Sequence, residues 1–234
     1  MEDNFKMVQI ENKEKIFDIN EPKIKDALDF LKDCFNFEGY LKELKDNPLK
    51  TKLFEINTAY LLKKVCGFKV GFLPDNEENC EIIPSYESKS RIYNNTKKPD
   101  LFVVIQGKML FVEVKSIGED YVKKIMIRRI AGDDSRGLEE RLLNLIKASY
   151  KKTKNFGGGI AAIYFPNSPV FIDNIKNKIE KLFKQSPKLF GVILFYASGA
   201  HLSGEFIVPE NKYKILINKN YKDESQKDTC QTKK

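Results

Sequence analysis

Two short stretches of this chain carry residue types that can handle a phosphodiester. Pro99-Asp100 stands a dozen residues ahead of Phe111-Val112-Glu113-Val114-Lys115, across the turn signal Gln106-Gly107-Lys108. Leu101 to Ile105 and Met109 to Val114 are both rich in β-branched and aromatic residues, and two such runs joined by a short Gly-containing segment predict a β-hairpin. Folding about Gly107 brings Asp100 opposite Val114, give or take a residue. Side chains alternate along a strand, so Glu113 and Lys115 share one face while Val112 and Val114 take the other. Asp100 then sits beside Glu113 and Lys115.

Hard cations such as Mg²⁺ (or Mn²⁺) take carboxylate and carbonyl oxygens and keep several waters. Asp100 and Glu113 supply carboxylates, and the backbone carbonyl of Val114 can add a third oxygen. A bound cation polarises a phosphoryl oxygen and acidifies a bound water. Lys115 would position or deprotonate that water, or stabilise charge building on the phosphate. Each position also has an ordinary alternative: Pro-Asp often marks a turn before a strand, and a Glu and a Lys two apart are often a solvated pair.

These residues need elements to hold them. Asn47-Pro48 before Leu49 is a helix start, with a capping side chain and proline at the first position. Gly67 is its stop after Cys66. On that helix Glu55 shares a stripe with Ala59, Leu62 and Cys66. A carboxylate on an inward stripe needs a partner or a metal; the alternative is an edge position reaching water or Lys52. Phe68 to Leu73 alternates as a strand. After the hairpin, Leu138, Leu142, Leu145, Ile146 and Ser149 mark one face of a helix over roughly 136–154. Gly157-Gly158-Gly159 separates it from the apolar strand Ile160 to Tyr164. The predicted order is helix, three strands, helix, strand.

In that order and in its motifs the chain resembles the PD-(D/E)XK nuclease superfamily, the restriction-endonuclease-like fold, over about residues 48–165. Pro99-Asp100 matches its Pro-Asp at the start of the second strand, and Glu113-Val114-Lys115 its Glu-x-Lys on the third. The resemblance implies an α/β fold, an α-β-β-β-α-β mixed sheet flanked by helices, with an N-terminal helical extension over 1–47 and α/β elements after the core up to 218. It implies a catalytic set of Glu55, Asp100, Glu113 and Lys115, with Asp100, Glu113 and the Val114 carbonyl on a Mg²⁺ or Mn²⁺ ion. Glu55 matches the Glu that many members carry on the first core helix. Some members carry a Lys or Gln on the helix after the third strand, where Lys147 and Lys151 are the candidates, expected to contact nucleic acid. Many members act as dimers, so a homodimer is a possible assembly.

Composition agrees with a nucleic-acid partner. Net charge is +8 with pI near 9.1, and a basic surplus favours a polyanion. Tyr86 to Lys98 is a loop with basic and aromatic residues leading into Asp100, and Lys97 and Lys98 are its candidates for phosphate contact. DNA, double-stranded, is the partner the resemblance implies. No stretch reaches the ~20 apolar residues a membrane span needs. The first residues lack the basic and apolar regions of a signal peptide, so a cytoplasmic protein is expected. Cys34, Cys66, Cys80 and Cys230 are too scattered for a zinc knuckle and read as free thiols. The only histidine, His201, excludes a His-rich metal site and argues against a Ser-His-Asp triad.

Elsewhere, Asn20-Glu21-Pro22 predicts a helix carrying Ile24, Leu28, Phe30, Leu31 and Phe35, and Glu38 to Lys45 a second. Residues 117–135 predict an extra strand or short helix near the cleft. Pro169 to Phe183 predicts an amphipathic helix, Phe190 to Tyr196 a strand, and Phe206–Val208 with Tyr213–Ile217 a last hairpin. The polar tail 219–234 is expected to be disordered. Two readings follow: a metal-dependent deoxyribonuclease, restriction-type or repair endonuclease among others, or a catalytically inactive nucleic-acid-binding module on the same fold. A third is an unrelated α/β protein whose hairpin charges are merely solvated.

Overall fold

The computed structural model describes residues 18–46, 50–81, 83, 92–93, 98–117, 136–165, 169–196 and 213–221. The expectations for Asn47-Pro48, Lys97, the segment after Ile117, His201, Phe206–Val208, Cys230 and most of the tail lie outside the described residues.

Three helices come first: α1 (Pro22–Leu31), α2 (Phe37–Asp46) and α3 (Lys50–Lys64). Pro22 occupies the first turn of α1, where its missing N–H costs nothing, and Ile24, Ala27, Leu28 and Leu31 recur on one buried face. The helix stops at Leu31, short of Phe35, which instead bridges to Gly71. Phe30 leaves the core for an edge-on contact with Tyr60. After α3 the backbone turns left-handed at Gly67, φ +67°, which glycine adopts without a Cβ clash.

The remaining described elements are β1 (Lys69–Phe72), β2 (Leu101–Ile105), β3 (Lys108–Ser116), α4 (Arg136–Thr153), β4 (Gly159–Phe165), α5 (Pro169–Gln185), β5 (Leu189–Tyr196) and β6 (Tyr213–Ile217). The strands form one six-stranded sheet in chain order. β1, β2 and β3 are an antiparallel meander, β4 and β5 run parallel to β3, and β6 returns antiparallel. The described partner of β6 is β5.

Helices cover both faces. Leu53, Phe54, Ile56, Ala59, Leu61 and Leu62 of α3 pack with α1 and α2 on Val70, Leu101, Val103, Val112 and Tyr164. Leu138, Leu142 and Ile146 of α4 pack with Ile175 and Ile179 of α5 on Ala161, Ile163, Val192 and Leu194. Residues of β4 alternate between these two cores, which is why its seven residues are all buried. α1 and α2 therefore share a core with α3. Tyr164 locks α3 to β4: its ring stacks between Phe54 (4.3 Å) and Phe195 (4.1 Å), and its hydroxyl donates to the Phe54 carbonyl at 3.1 Å. Such ring pairs add about 0.5–1.5 kcal/mol beyond burial.

Candidate active site

The hairpin between β2 and β3 turns on two residues, Gln106 and Gly107, both with positive φ (52° and 78°), the geometry that matches strand twist. Ile105 then pairs with Lys108, and Leu101 with Val112. Asp100 lies one step before Leu101, so it faces Glu113, one residue from Val114; a two-residue turn centres the pairing half a residue earlier than a turn on Gly107. The Asp100 N–H donates to the Val112 carbonyl at 3.1 Å, and the Val114 N–H donates to Asp100 Oδ2 at 2.7 Å. Since N–H and C=O of one strand residue leave on the same side, the Val114 carbonyl points toward Asp100 too.

Val112 joins the α3-side core, whereas Ala161 and Ile163, the partners of Glu113 and Lys115 on β4, join the α4-side core. Glu113 and Lys115 therefore share the α4 face, as alternation requires. The Glu113 side chain is 0% exposed. Lys115 Nζ lies 2.5 Å from Glu113 Oε1. Lys152, near the end of α4, donates to Oε1 at 2.8 Å and lies 2.7 Å from Oε2. Oε2 nonetheless has no well-directed hydrogen bond. The same Lys152 ammonium is 4.0 Å from Asp100 Oδ1.

Burial pushes the Glu113 carboxyl up to about 7, and the Asp100 charge adds to this, against the pull of Lys152 and Lys115. For Lys115, burial works against the ammonium, but Glu113 and Asp100 outweigh it and hold the group charged. Lys115 is thus a cationic donor at neutral pH rather than a base.

Glu55 is buried on α3, on its predicted stripe, and both sequence alternatives meet there: it also pairs with Lys52 Nζ at 3.4 Å. Burial pushes its carboxyl up to about 8, with Lys52 opposing and the Asp100 charge reinforcing. Its link to the hairpin is thus electrostatic, through Asp100 and Lys115, and it makes no hydrogen bond to Asp100 or Glu113 among the described residues. Lys98 is already engaged: its ammonium donates to the Leu73 carbonyl at 2.8 Å and to Asp75 Oδ1 at 3.2 Å.

Lys147 and Lys151 are exposed on α4 and do not reach the carboxylates; Lys152 does. The helical period carries the signal. With Ser149 facing the sheet, Lys147 and Lys151 fall about 160° away and Lys152 about 60° away.

Among the described residues no three His, Cys, Asp or Glu side chains gather closely enough to hold a metal ion. The oxygens at the hairpin mouth are two carboxylates and one carbonyl. Glu113 Oε2 has no directed donor although the Lys152 ammonium lies 2.7 Å away, and Asp100 Oδ1 lies 4.0 Å from the same ammonium, so a cation would compete with Lys152 for both oxygens. Two carboxylates suit an ion that keeps most of its waters. No protein-family model, curated protein or solved structure matches the chain.

Proposed function

We propose that this chain is a divalent-metal-dependent deoxyribonuclease with a restriction-endonuclease-like core, hydrolysing phosphodiesters of double-stranded DNA. One observation carries the reading: fully buried Glu113 sits across the hairpin from Asp100 and is gripped by Lys115 and Lys152 at 2.5–2.8 Å. A buried charge costs several kcal/mol unless paired, and a hairpin needs no such group to fold. The order helix, three-strand meander, helix, parallel strand supports the same fold assignment.

Asp100, Glu113 and the Val114 carbonyl would hold Mg²⁺ or Mn²⁺, which when bound polarises the phosphoryl oxygen and acidifies its water. Lys152 pulls the Glu113 carboxyl toward its ionised form and lies 4.0 Å from Asp100 Oδ1. Lys115, charged and partly exposed, donates to the phosphate oxygen on which negative charge builds. Glu55, its carboxyl raised to about 8, is mostly protonated at neutral pH and would add negative potential near Asp100 only once it ionises. A second copy of the chain would let both strands of a duplex be cut.

The test is cleavage of supercoiled, linear and single-stranded DNA, and of RNA, with and without Mg²⁺ or Mn²⁺, comparing wild type with Asp100→Ala and Lys115→Ala. The expected result is metal-dependent cutting of duplex DNA that both substitutions abolish. Salt-sensitive DNA binding without cutting would move the assignment to an inactive binding module on this fold.

A further inference from the structure

Beside the hairpin lies a second polar chain. Asp75, in the loop after β1, accepts from two lysines, one per carboxylate oxygen: Lys52 Nζ of α3 is 3.0 Å from Oδ2, and Lys98 Nζ is 3.2 Å from Oδ1. The two lysine side chains are 11% and 17% exposed, whereas that of Asp75 is 69% exposed. Lys52 turns its other side to Glu55 at 3.4 Å. Lys98 stands two residues before Asp100 and also donates to the Leu73 carbonyl at 2.8 Å. The Leu73 N–H in turn donates to the Asp100 carbonyl at 3.1 Å.

The loop itself is fixed from behind. Glu43 of α2 accepts from the Asp75 and Asn76 N–H groups, both at 2.7 Å, and from Asn79 Nδ2 at 3.0 Å. The Asn76 side chain caps the short turn Glu77–Asn79 that follows. An unbroken run of bonds therefore leads from α2 through Asp75 to both α3 and the segment before β2 that carries Asp100.

We infer that Asp75 is a positioning residue for the reaction, tying Lys52 and Lys98 so that Glu55 on α3 and Asp100 before β2 keep a fixed separation. The inference rests on the nuclease reading. Asp75 touches neither acid of the hairpin, so it acts through the two lysines. Charge-assisted bonds of this kind are the stronger ones. Groups that orient metal-binding carboxylates typically cost about 10- to 100-fold in affinity or activity when removed.

The experiment is steady-state cleavage of a duplex oligonucleotide in Mg²⁺ by wild type, Asp75→Asn, Asp75→Glu, Glu43→Gln and Lys98→Met. Asp75→Asn is expected to lower kcat by about 10- to 100-fold with KM little changed. Asp75→Glu, which keeps the charge and can still reach both lysines, should restore most of the rate. Adding Asp75→Asn to Lys98→Met should cost much less than Asp75→Asn alone, because the two share one tie. Circular dichroism should stay near wild type, with a fall in melting temperature no larger in Asp75→Asn than in Lys98→Met, which breaks the same tie. If Asp75→Asn fails to fold, Glu43→Gln, which loosens the loop and leaves the Asp75 charge, should lower kcat in the same direction. A wild-type kcat in Asp75→Asn overturns the inference. So does tighter DNA binding at unchanged kcat, which would make Asp75 a competitor of phosphate for the lysines. A wild type that cuts nothing overturns the nuclease reading beneath it.

Discussion

Lys152→Met should impair the site in a way that raising the pH repairs. Burial already holds the Glu113 carboxyl near pH 7, with Lys152 among the groups pulling it down. An opposite charge at 4–6 Å or closer shifts a carboxyl by about 1–3 pH units, and Lys152 lies at 2.7–2.8 Å from both oxygens, itself only 18% exposed. Removing it leaves Lys115 as the remaining partner, so Glu113 should rise to roughly 8 at the least and 10 at the most. At pH 7 the ionised fraction then falls from about one half to about one in ten for the smaller shift, and to about one in a thousand for the larger. Since a protonated Glu113 cannot serve a cation, kcat/KM at limiting Mg²⁺ should drop by the same factor, about 5- to 500-fold. The assay is kcat/KM against pH from 5.5 to 9.5. The acid limb of the variant should move to higher pH, and the deficit should shrink as pH rises. A deficit equal at every pH, or none, would refute the assignment of Lys152 as the group that keeps Glu113 charged.

Three further outcomes follow from the same geometry. Glu55 and Glu113 are raised by burial to about 8 and about 7 from a usual value of 4.5, so the folded state holds protons that the unfolded chain has released. Their contribution to stability is full below pH 4.5 and is lost as pH rises through 7 to 8; urea midpoints should fall between pH 5 and pH 8, less so in Glu55→Gln, and a flat profile would contradict this. Gly71→Ala places a Cβ 2.0 Å from the Phe102 ring, so the urea midpoint should report a loss of about 1–3 kcal/mol; wild-type stability would mean that the ring has room to move. Tyr164→Phe keeps both ring stacks but loses the hydroxyl bonded to Phe54 and Thr58, and should cost about 1 kcal/mol by the same measurement.

The hairpin and its acids were legible because local chemistry dictates them. Gly107 marks the turn, the β-branched runs mark the strands, and alternation sends Glu113 and Lys115 to one face. The register fell within the one residue allowed, and the positive φ of Gln106 beside Gly107, which the sequence alone does not show, sets it at Glu113. The inward stripe of α3 was legible, including Glu55, but its partner depended on which neighbour won, and Lys52 did. The α4 lysine that meets the carboxylates, Lys152, was not singled out within a run of similar residues. Lys147, Lys151 and Lys152 are alike in type, and only their angle from Ser149 separates them. The tie through Asp75 was not legible at all: it joins residues 52, 75 and 98 across three elements, and a polar loop after a strand gives no sign of what its carboxylate will meet. Phe35 was drawn into α1 by its period, yet its backbone pairs with β1 instead: its N–H donates to the Val70 carbonyl and its carbonyl accepts from Phe72.

The proposed activity depends on Asp100 and Glu113 taking up a divalent cation. The direct measurement is a Mn²⁺ titration followed by the paramagnetic resonance of the free ion, on wild type, Asp100→Asn and Glu113→Gln. Wild type should remove Mn²⁺ from solution, more tightly at pH 8 than at pH 6 because Glu113 must give up its proton, and neither variant should do so. A wild type that leaves the free-ion signal untouched, or variants that reduce it as well as wild type, would contradict the account.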